Sequence, residues 1–332
     1  MAVQVLQVDR SQWLMPYAFE QEAIRGAGGE FVIESCTTEE EVVERAREAE
    51  ILFVSSSRLV TPAVMDALPR CRLIVRWGVG YDQIDVEAAT ARGIAVANAP
   101  TYCSDEVAEH AIALLLALAR QVVWSHERMR EGGWQRPSGP VHRLTGRTLG
   151  IIGCGRIGSK VAARTLGLGL RVIAYDKYRA DDALRAFGVT PRTFEEVLAE
   201  ADYLTLHVPW TAETRHLIGA AALASMKSEA MLVNTSRGPV IDEGALIGAL
   251  SSGRLAGAAL DVFEEEPLDQ ASPLRSLEGV ILTPHVAAYS IESIEALRRE
   301  MCATAADWIA TGWSERVVNP EVRSGLRPRI WE

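Results

Sequence analysis

The chain of 332 residues is long enough for two domains of ordinary size. Its composition, 48% hydrophobic and 23% charged, is that of a folded globular protein. A net charge of −10, from 34 basic against 44 acidic residues, disfavours non-specific binding to nucleic acid and to anionic membrane, so neither is expected as a partner. The longest apolar run, Ala111–Ala119, stops at Arg120, short of the ~18 residues of a membrane span. The opening MAVQVLQVDR alternates as a strand does and lacks the basic-then-apolar profile of an export leader. Cys36, Cys71, Cys103, Cys154 and Cys302 are scattered and odd in number, form no CxxC pair, and the histidines show no HxH or HExxH spacing. Free thiols in a reducing cytoplasm are expected, with neither a disulfide frame nor a metal site.

In chain order, the first hundred residues alternate strand and helix signals. Val3–Val8, Ile51–Val54 (closed by the turn Ser55–Ser57), Leu73–Val75 and Ile94–Ala97 read as strands, and Glu39–Glu50 and Val86–Ala91 as helices between them. Strands separated by helical stretches predict βαβ units and a parallel, doubly wound sheet. After Pro100, Glu106–Arg120 is predicted as a helix with a stripe of Ile112, Leu115, Leu116 and Ala119. Glu131–Gly146, rich in Gly, Pro and Arg, reads as a loop or arm. From Thr148 the alternation restarts, with strands at Leu149–Ile152, Arg171–Tyr175, Tyr203–Leu206, Met231–Asn234, Ala258–Leu260 and Val280–Leu282, the number in a full dinucleotide-binding sheet. A last helix, Ile291–Thr311, carries Ile294, Leu297, Met301 and Trp308 on one stripe and ends at Gly312. With no strand of its own nearby, it is expected to pack back on the N-terminal block, making that domain discontinuous.

Between the strand Leu149–Ile152 and a predicted helix Ser159–Leu166 lies GCGRIG, Gly153 to Gly158. Asp176 follows at the end of the next strand, 18 residues beyond Gly158 (176 − 158). Gly153 permits the tight turn, Gly155 admits a pyrophosphate to the backbone, and Gly158 lets the helix press on the strand. The helix N-terminus offers N–H groups to phosphate. Asp176 suits a ribose diol and repels a 2′-phosphate, favouring NAD over NADP. Lys177 and Arg179, directly after it, leave NADP possible.

Three polar motifs lie beyond later strands: NTSRGPVID with Arg237, DVFEEEP from Asp261 to Pro267 with Glu266, and TPHVAAYS with His285. An arginine fork can grip the carboxylate and carbonyl oxygens of a 2-oxo acid together. A histidine suits proton donation near neutral pH, and a carboxylate beside it stabilises the imidazolium. Each group alone could be an ordinary surface residue; all three at strand ends beyond a nucleotide cradle point to one site. His207, in LHVPW, is expected to line the cofactor cleft, whereas His110, His126 and His142 read as structural. In IVRWGVGYDQID, Gly78 and Gly80 follow a strand and can offer backbone N–H groups to a carboxylate, with Arg76 beside them.

Taken in order, GCGRIG, Asp176, LHVPWTAET, NTSRGPVID, GAALDVFEEEP and TPHVAAYS resemble the D-isomer-specific 2-hydroxyacid dehydrogenases, over about Ile51 to Asn319. The resemblance implies two Rossmann-like doubly wound domains with a cleft between, the cofactor domain (102–285) inserted into a substrate domain (1–101 with 286–332). It implies Arg237, Glu266 and His285 as the catalytic set. Substrate binding would involve Arg76, Gly78, Val79 and Gly80 with Arg237 and His285. NAD would be held by Gly153, Gly155, Arg156, Ile157, Gly158, Asp176, His207, Thr214, Thr235, Ser236, Arg237, Asp261 and His285, with Asp261 on the nicotinamide carboxamide. It also implies a homodimer through the cofactor domains, with Glu131–Gly146 in the interface. IVRWGVGYDQID, Tyr289 and the long last helix look closest to the C-terminal-binding-protein branch. Ala288 stands where that branch carries a tryptophan, and Trp210 where the family is usually smaller and aliphatic. The phosphoglycerate dehydrogenases are also similar, and Arg76 fits their phosphate-side contact, although the chain ends without the extra domain of their longer members.

The expected function is therefore NAD(H)-dependent interconversion of a small 2-oxo acid and its D-2-hydroxy acid. The rival readings are an NAD(H)-sensing, corepressor-like dimeric interaction protein, and a phosphoglycerate, phosphite or formate dehydrogenase on the same fold.

Overall fold

The computed structural model describes residues 2–9, 16–55, 58–137 and 140–328. Positions 56–57 of the predicted turn and 138–139 of the predicted arm lie outside the described residues. Contacts divide the chain into two compact units, Met1–Cys103 with Ser290–Glu332, and Ser104–Tyr289.

The first unit is built on five parallel strands, β1 (Val3–Gln7), β2 (Gly29–Ile33), β3 (Ile51–Val54), β4 (Leu73–Arg76) and β5 (Ala95–Ala97), in the order β2-β1-β3-β4-β5. Its first helices are α1 (Ala18–Gly26), α2 (Glu39–Arg45), α3 (Pro62–Ala67) and α4 (Val86–Ala91). β3 is buried along its whole length and reads as an unbroken apolar run, as a strand covered on both faces must. Thr38, Thr61 and Asp85 cap α2, α3 and α4 by accepting the N–H of Glu41, Val64 and Ala88. One face of the sheet is closed by the helix Ile291–Thr311, whose Leu297, Met301, Ala305 and Trp308 join Ile24, Phe53 and Val75. The Trp308 indole donates to Glu50 Oε1 (3.0 Å), which also pairs with Arg72 (2.9 Å). α2 stops at Arg45 and not at the predicted Glu50, because Glu50 already belongs to the sheet: its N–H donates to Gln4 O (3.0 Å) and its carbonyl accepts Arg72 N–H (2.9 Å), and Ala46 and Ala49 are fully buried on the way. The edge strand β2 has no counterpart in the sequence reading; GEFVI is only half-buried and its burial does not alternate.

The second unit opens with α5 (Ser104–Ala119) and α6 (Val122–Arg130). There follow β6 (Thr148–Ile152), α7 (Arg156–Leu166), β7 (Arg171–Tyr175), α8 (Asp181–Arg185), β8 (Thr190–Pro191), α9 (Phe194–Glu200), β9 (Tyr203–Leu206), α10 (Ala220–Ser225), β10 (Met231–Asn234), α11 (Glu243–Ser251), β11 (Gly257–Leu260) and β12 (Val280–Leu282). The sheet order is β12-β11-β10-β9-β6-β7-β8, all parallel. The six predicted strands are present. The seventh, β8, has two residues and ends in Pro191, a residue tolerated only at a sheet edge. On α5 the buried face runs through Ala111, Leu114, Leu115 and Leu118, while the predicted Ile112 and Leu116 are only half-buried. The helix is apolar around most of its circumference, so periodicity alone did not select the face. α7 begins at Arg156, three residues before its predicted start, because the glycine turn itself winds into its first turn.

Since every strand is parallel, all the loops after β6, β7, β9, β10, β11 and β12 emerge at one edge. The strand order reverses between β6 and β9, and such a switch point is where open α/β sheets bind ligands. No single described helix is long and apolar enough to cross a membrane.

Phe53 is fully buried and meets Trp77 edge-on, with ring centroids 5.6 Å apart. Phe53→Ala is expected to lower unfolding free energy by roughly 3–5 kcal/mol, read as a fall in the denaturant midpoint.

Candidate active site

At the β6 end, Gly153 has φ +87°, and its N–H donates to Tyr175 O across the strand tips (2.9 Å). A Cβ on Gly158 would lie 2.2 Å from Gly153 O, so only glycine lets α7 press this close. Gly155, by contrast, faces open space and begins α7 with no side-chain cap. Gly155 and Arg156 are exposed and Ile157 half-buried, so the helix N-terminus stands open to an anion. Asp176 accepts the N–H groups of Cys154 (2.7 Å), Tyr178 (2.9 Å) and Arg179 (3.0 Å), which ties the loop after β7 to the glycine turn. Arg179 donates to Cys154 O (2.7 Å) and to Ser159, while Lys177 pairs with Glu213 (2.5 Å). Cys154 is buried and its thiol is pushed up by that burial, as befits packing and not nucleophilic attack.

His207 directly follows β9, with its N–H on Ile152 O (2.8 Å) and its Nε2 3.0 Å from Thr205 Oγ1. Burial takes its imidazole down to about 4, so it is neutral at physiological pH. His207 Nδ1 and, at the end of β10, Thr235 Oγ1 are buried polar atoms without a partner in the chain. Such atoms are costly unless a ligand satisfies them. With the open helix terminus they make this edge fit a dinucleotide. Thr214 is folded into its own turn, donating to Pro209 O (2.7 Å) and accepting from Thr211 N–H (2.8 Å).

The loop after β10 is shaped by Asn234, which is fully buried. Its amide donates to Arg237 O (2.9 Å), and its carbonyl oxygen accepts from Ser236 N–H (3.0 Å) and Ser236 Oγ (2.7 Å). Ser236 is thus engaged within the turn, and Arg237 leaves its far side with Nη1 on Ser236 O (2.8 Å). Asn234 was not singled out in the sequence; its place at the head of the Thr-Ser-Arg-Gly turn was the available signal. The next residue, Gly238, packs backbone to backbone on the loop after β11. A Cβ there would fall 1.8 Å from Phe263 O.

That second loop carries Glu266. Its Oε1 accepts Phe263 N–H (3.1 Å) and its Oε2 lies 2.6 Å from His285 Nδ1. Burial pushes the Glu266 carboxyl up, but the His285 hydrogen bond and charge, the Phe263 N–H and the Arg237 charge together hold it below its ordinary value. The three groups singled out in the sequence therefore act on one another: His285 is bonded to Glu266, and the Arg237 charge is felt there. His285 sits at φ +51°, uncommon for a residue with a side chain.

What holds His285 in that conformation is Asp261, whose side chain is completely buried. Its carboxylate accepts Thr283 Oγ1 (2.5 Å) and the N–H groups of Val286 (3.0 Å) and Ala287 (2.9 Å), while its carbonyl accepts His285 N–H (2.8 Å). His110 of α5 reaches the same cluster, 3.1 Å from Thr283 Oγ1 and 3.5 Å from Asp261 Oδ1. Only the tertiary fold could bring that histidine under the turn. Burial raises the Asp261 carboxyl, but the bonds from His110, Thr283, Val286 and Ala287 outweigh it and hold it below its ordinary 3.8.

In the first unit, Arg76 ends β4 and folds over Gly78, with Nη1 2.6 Å from where a Cβ would be. The carbonyls of Gly78 and Val79 are engaged by Ala99 N–H (3.1 Å) and the Asn98 amide (2.6 Å). Trp77, just before, donates to Gln7 Oε1 (2.8 Å), so the root of the Gly78–Gly80 loop rests on a buried polar knot.

A carboxyl held low in the folded state stabilises the fold in full above its unfolded value of 3.8, and that contribution is lost as pH falls below it. Wild-type unfolding temperature is expected to drop steeply below about pH 4. Asp261→Asn should be less stable at neutral pH and show a shallower drop. Equal slopes in a thermal scan series would show that Asp261 contributes nothing to the acid sensitivity.

Comparison with known proteins bears on this site directly. Residues 112–287 match the model of the NAD binding domain of D-isomer specific 2-hydroxyacid dehydrogenases. A glyoxylate reductase of Korarchaeum cryptofilum is 44% identical over 256 residues, covering 76% of this chain and 77% of that protein. A D-3-phosphoglycerate dehydrogenase of Methanocaldococcus jannaschii is 43% identical over 269 residues, 81% of this chain but 51% of that longer protein. Among solved structures, a D-lactate dehydrogenase from Aquifex aeolicus, complexed with NAD and lactic acid, superposes with a TM-score of 0.82 at 31% identity, covering 97% of this chain and 98% of that one. With the glycine cradle, the Arg237, Glu266 and His285 cluster and more than half of the residues accounted for, this chain belongs to the D-isomer specific 2-hydroxyacid dehydrogenase family.

Proposed function

We propose that this protein interconverts a small 2-oxo acid and its D-2-hydroxy acid with NAD(H), using Arg237, Glu266 and His285 as its catalytic set. The observation that carries this reading is the 2.6 Å bond between Glu266 Oε2 and His285 Nδ1 at the strand edge that also bears the glycine cradle. A bound dinucleotide supplies the hydride in reduction and accepts it in oxidation. With Glu266 on Nδ1, His285 is left with Nε2 to give a proton to the carbonyl oxygen of the oxo acid, or to take it from the hydroxyl in reverse. Glu266 stabilises the imidazolium and fixes the ring. Arg237 orients the substrate and polarises its oxygen. The Arg76–Gly80 loop is assigned to carboxylate binding through its backbone N–H groups.

NAD is the preferred cofactor on this reading, because Asp176 at the tip of β7 repels a 2′-phosphate. Asp261, whose oxygens are already taken by its own loop, is assigned first to holding His285, with any carboxamide contact made through the turn it fixes. The Arg–Glu–His set supports turnover over pure nucleotide sensing, since binding alone needs no proton donor. A homodimer through the Glu131–Gly146 region is supported by exposed Val122 and Met129 beside it and Trp134 within it, the last 87% exposed. A cytoplasmic setting accords with five free cysteines.

NADH oxidation against glyoxylate, pyruvate, hydroxypyruvate, branched 2-oxo acids and 3-phosphohydroxypyruvate, with NADPH alongside, should show turnover of at least one acid and preference for NADH. No turnover across the panel would reject the assignment. His285→Ala should lower kcat by about 10²–10⁴-fold on every accepted acid; near-full turnover would remove it as the acid.

A further inference from the structure

Two histidine–glutamate couples, not one, grow from the short turn after β11. Glu266 holds His285; two residues earlier, Glu264 is hydrogen-bonded to His216, which lies on the loop after β9. Among the described residues three non-glycines have positive φ, and two of them are His216 and His285, both at +51°. Such a conformation costs on the order of 1–3 kcal/mol unless its surroundings enforce it. Both histidines are thus held in an unfavourable backbone setting facing an acid of the same turn.

The surroundings of His216 are specific. Its N–H donates to Pro239 O (2.8 Å) and Ile218 N–H to Val240 O (3.0 Å), and Ile218 and Ile241 form a parallel bridge. The loop after β9 is thereby zipped to the segment that follows Arg237. Glu264 N–H donates to Glu243 at the start of α11 (3.3 Å), and Gly238 abuts Phe263 O. Three segments meet at Glu264: the one bearing His216, the one following Arg237, and the turn whose other end is Glu266. That turn is otherwise fastened to itself by Phe263 N–H on Glu266 Oε1.

We propose that Glu264, gripped by His216, is a positioning residue that sets the Phe263–Glu266 turn so that Glu266 Oε2 stays on His285 Nδ1. This rests on the assignment of His285 as the proton-transfer group. Glu265, between the two, belongs to neither couple and provides an internal control: Glu265→Gln removes the same charge from the same turn without touching either.

The test uses the full chain and its variants. Glu264→Ala should lower kcat roughly ten-fold, the order expected for a small misplacement of a catalytic group, while the dissociation constant for NADH stays at the wild-type value. Glu265→Gln should match wild type. In a Glu266→Gln background, Glu264→Ala should cost nothing further, because it acts through Glu266. Independently of turnover, the ring 15N shifts of His285, assigned with His285→Gln in histidine-labelled protein, should move in Glu264→Ala toward their values in Glu266→Gln. If Glu264→Ala fails to fold, His216→Gln is read by the same spectrum. Unchanged His285 shifts, whatever happens to stability, would overturn the proposal, as would additive losses in the double variant or an equal loss in Glu265→Gln. Should the wild type turn over no 2-oxo acid, the functional assignment falls, while the nitrogen shifts still decide whether Glu264 governs the Glu266–His285 bond.

Discussion

The bond between Glu266 and His285 is the contact around which the second unit is arranged. A carboxylate 2.6 Å from an imidazole nitrogen fixes two things together: which nitrogen is occupied and which way the ring faces. Neither of these survives a displacement of about an ångström in either partner. Both residues sit in loops, where the chain has most freedom, so the protein must take that freedom away by other means.

It does so with buried polar groups beneath each loop. Asp261 gathers Thr283, Val286, Ala287 and His110 under the His285 turn, and Asn234 folds the turn that presents Arg237. Gly238 then lets the Arg237 loop meet the loop that carries Glu266 backbone to backbone. A buried carboxylate or amide with all its bonds made is rigid because each alternative leaves an unsatisfied group in a low-dielectric interior. Glu266 and His285 are thus exposed tips on a buried, hydrogen-bonded base, and exposure and precision coexist.

Much of this was legible in the chain. The βα alternation, the six principal strands of the second sheet and the glycine cradle follow from local patterns, since parallel strands buried on both faces read as apolar runs and GCGRIG is a contiguous motif. Arg237, Glu266 and His285 could be singled out because each lies in a loop beyond a strand, and the fold brings Glu266 and His285 into hydrogen-bond contact. What was not legible depends on partners distant in sequence. His110 reads as an ordinary helical histidine until Thr283 is brought beneath it, and the early end of α2 is set by Glu50 bonding through its backbone to Gln4 and Arg72. The buried face of α5 could not be chosen from a helix apolar on most sides, and the two-residue β8 is too short for any periodic signal.

That shortest strand has a consequence for the chain's behaviour in crowded solution. An outer strand with a free row of amides is a template on which another copy can add itself, and stacked parallel ribbons grow from such contacts. Here the outermost rung of the larger sheet is only two residues long and one of them is Pro191, which has no amide hydrogen to give. A second molecule approaching that flank finds almost no ladder to extend, so the sheet is blunted against runaway self-association there.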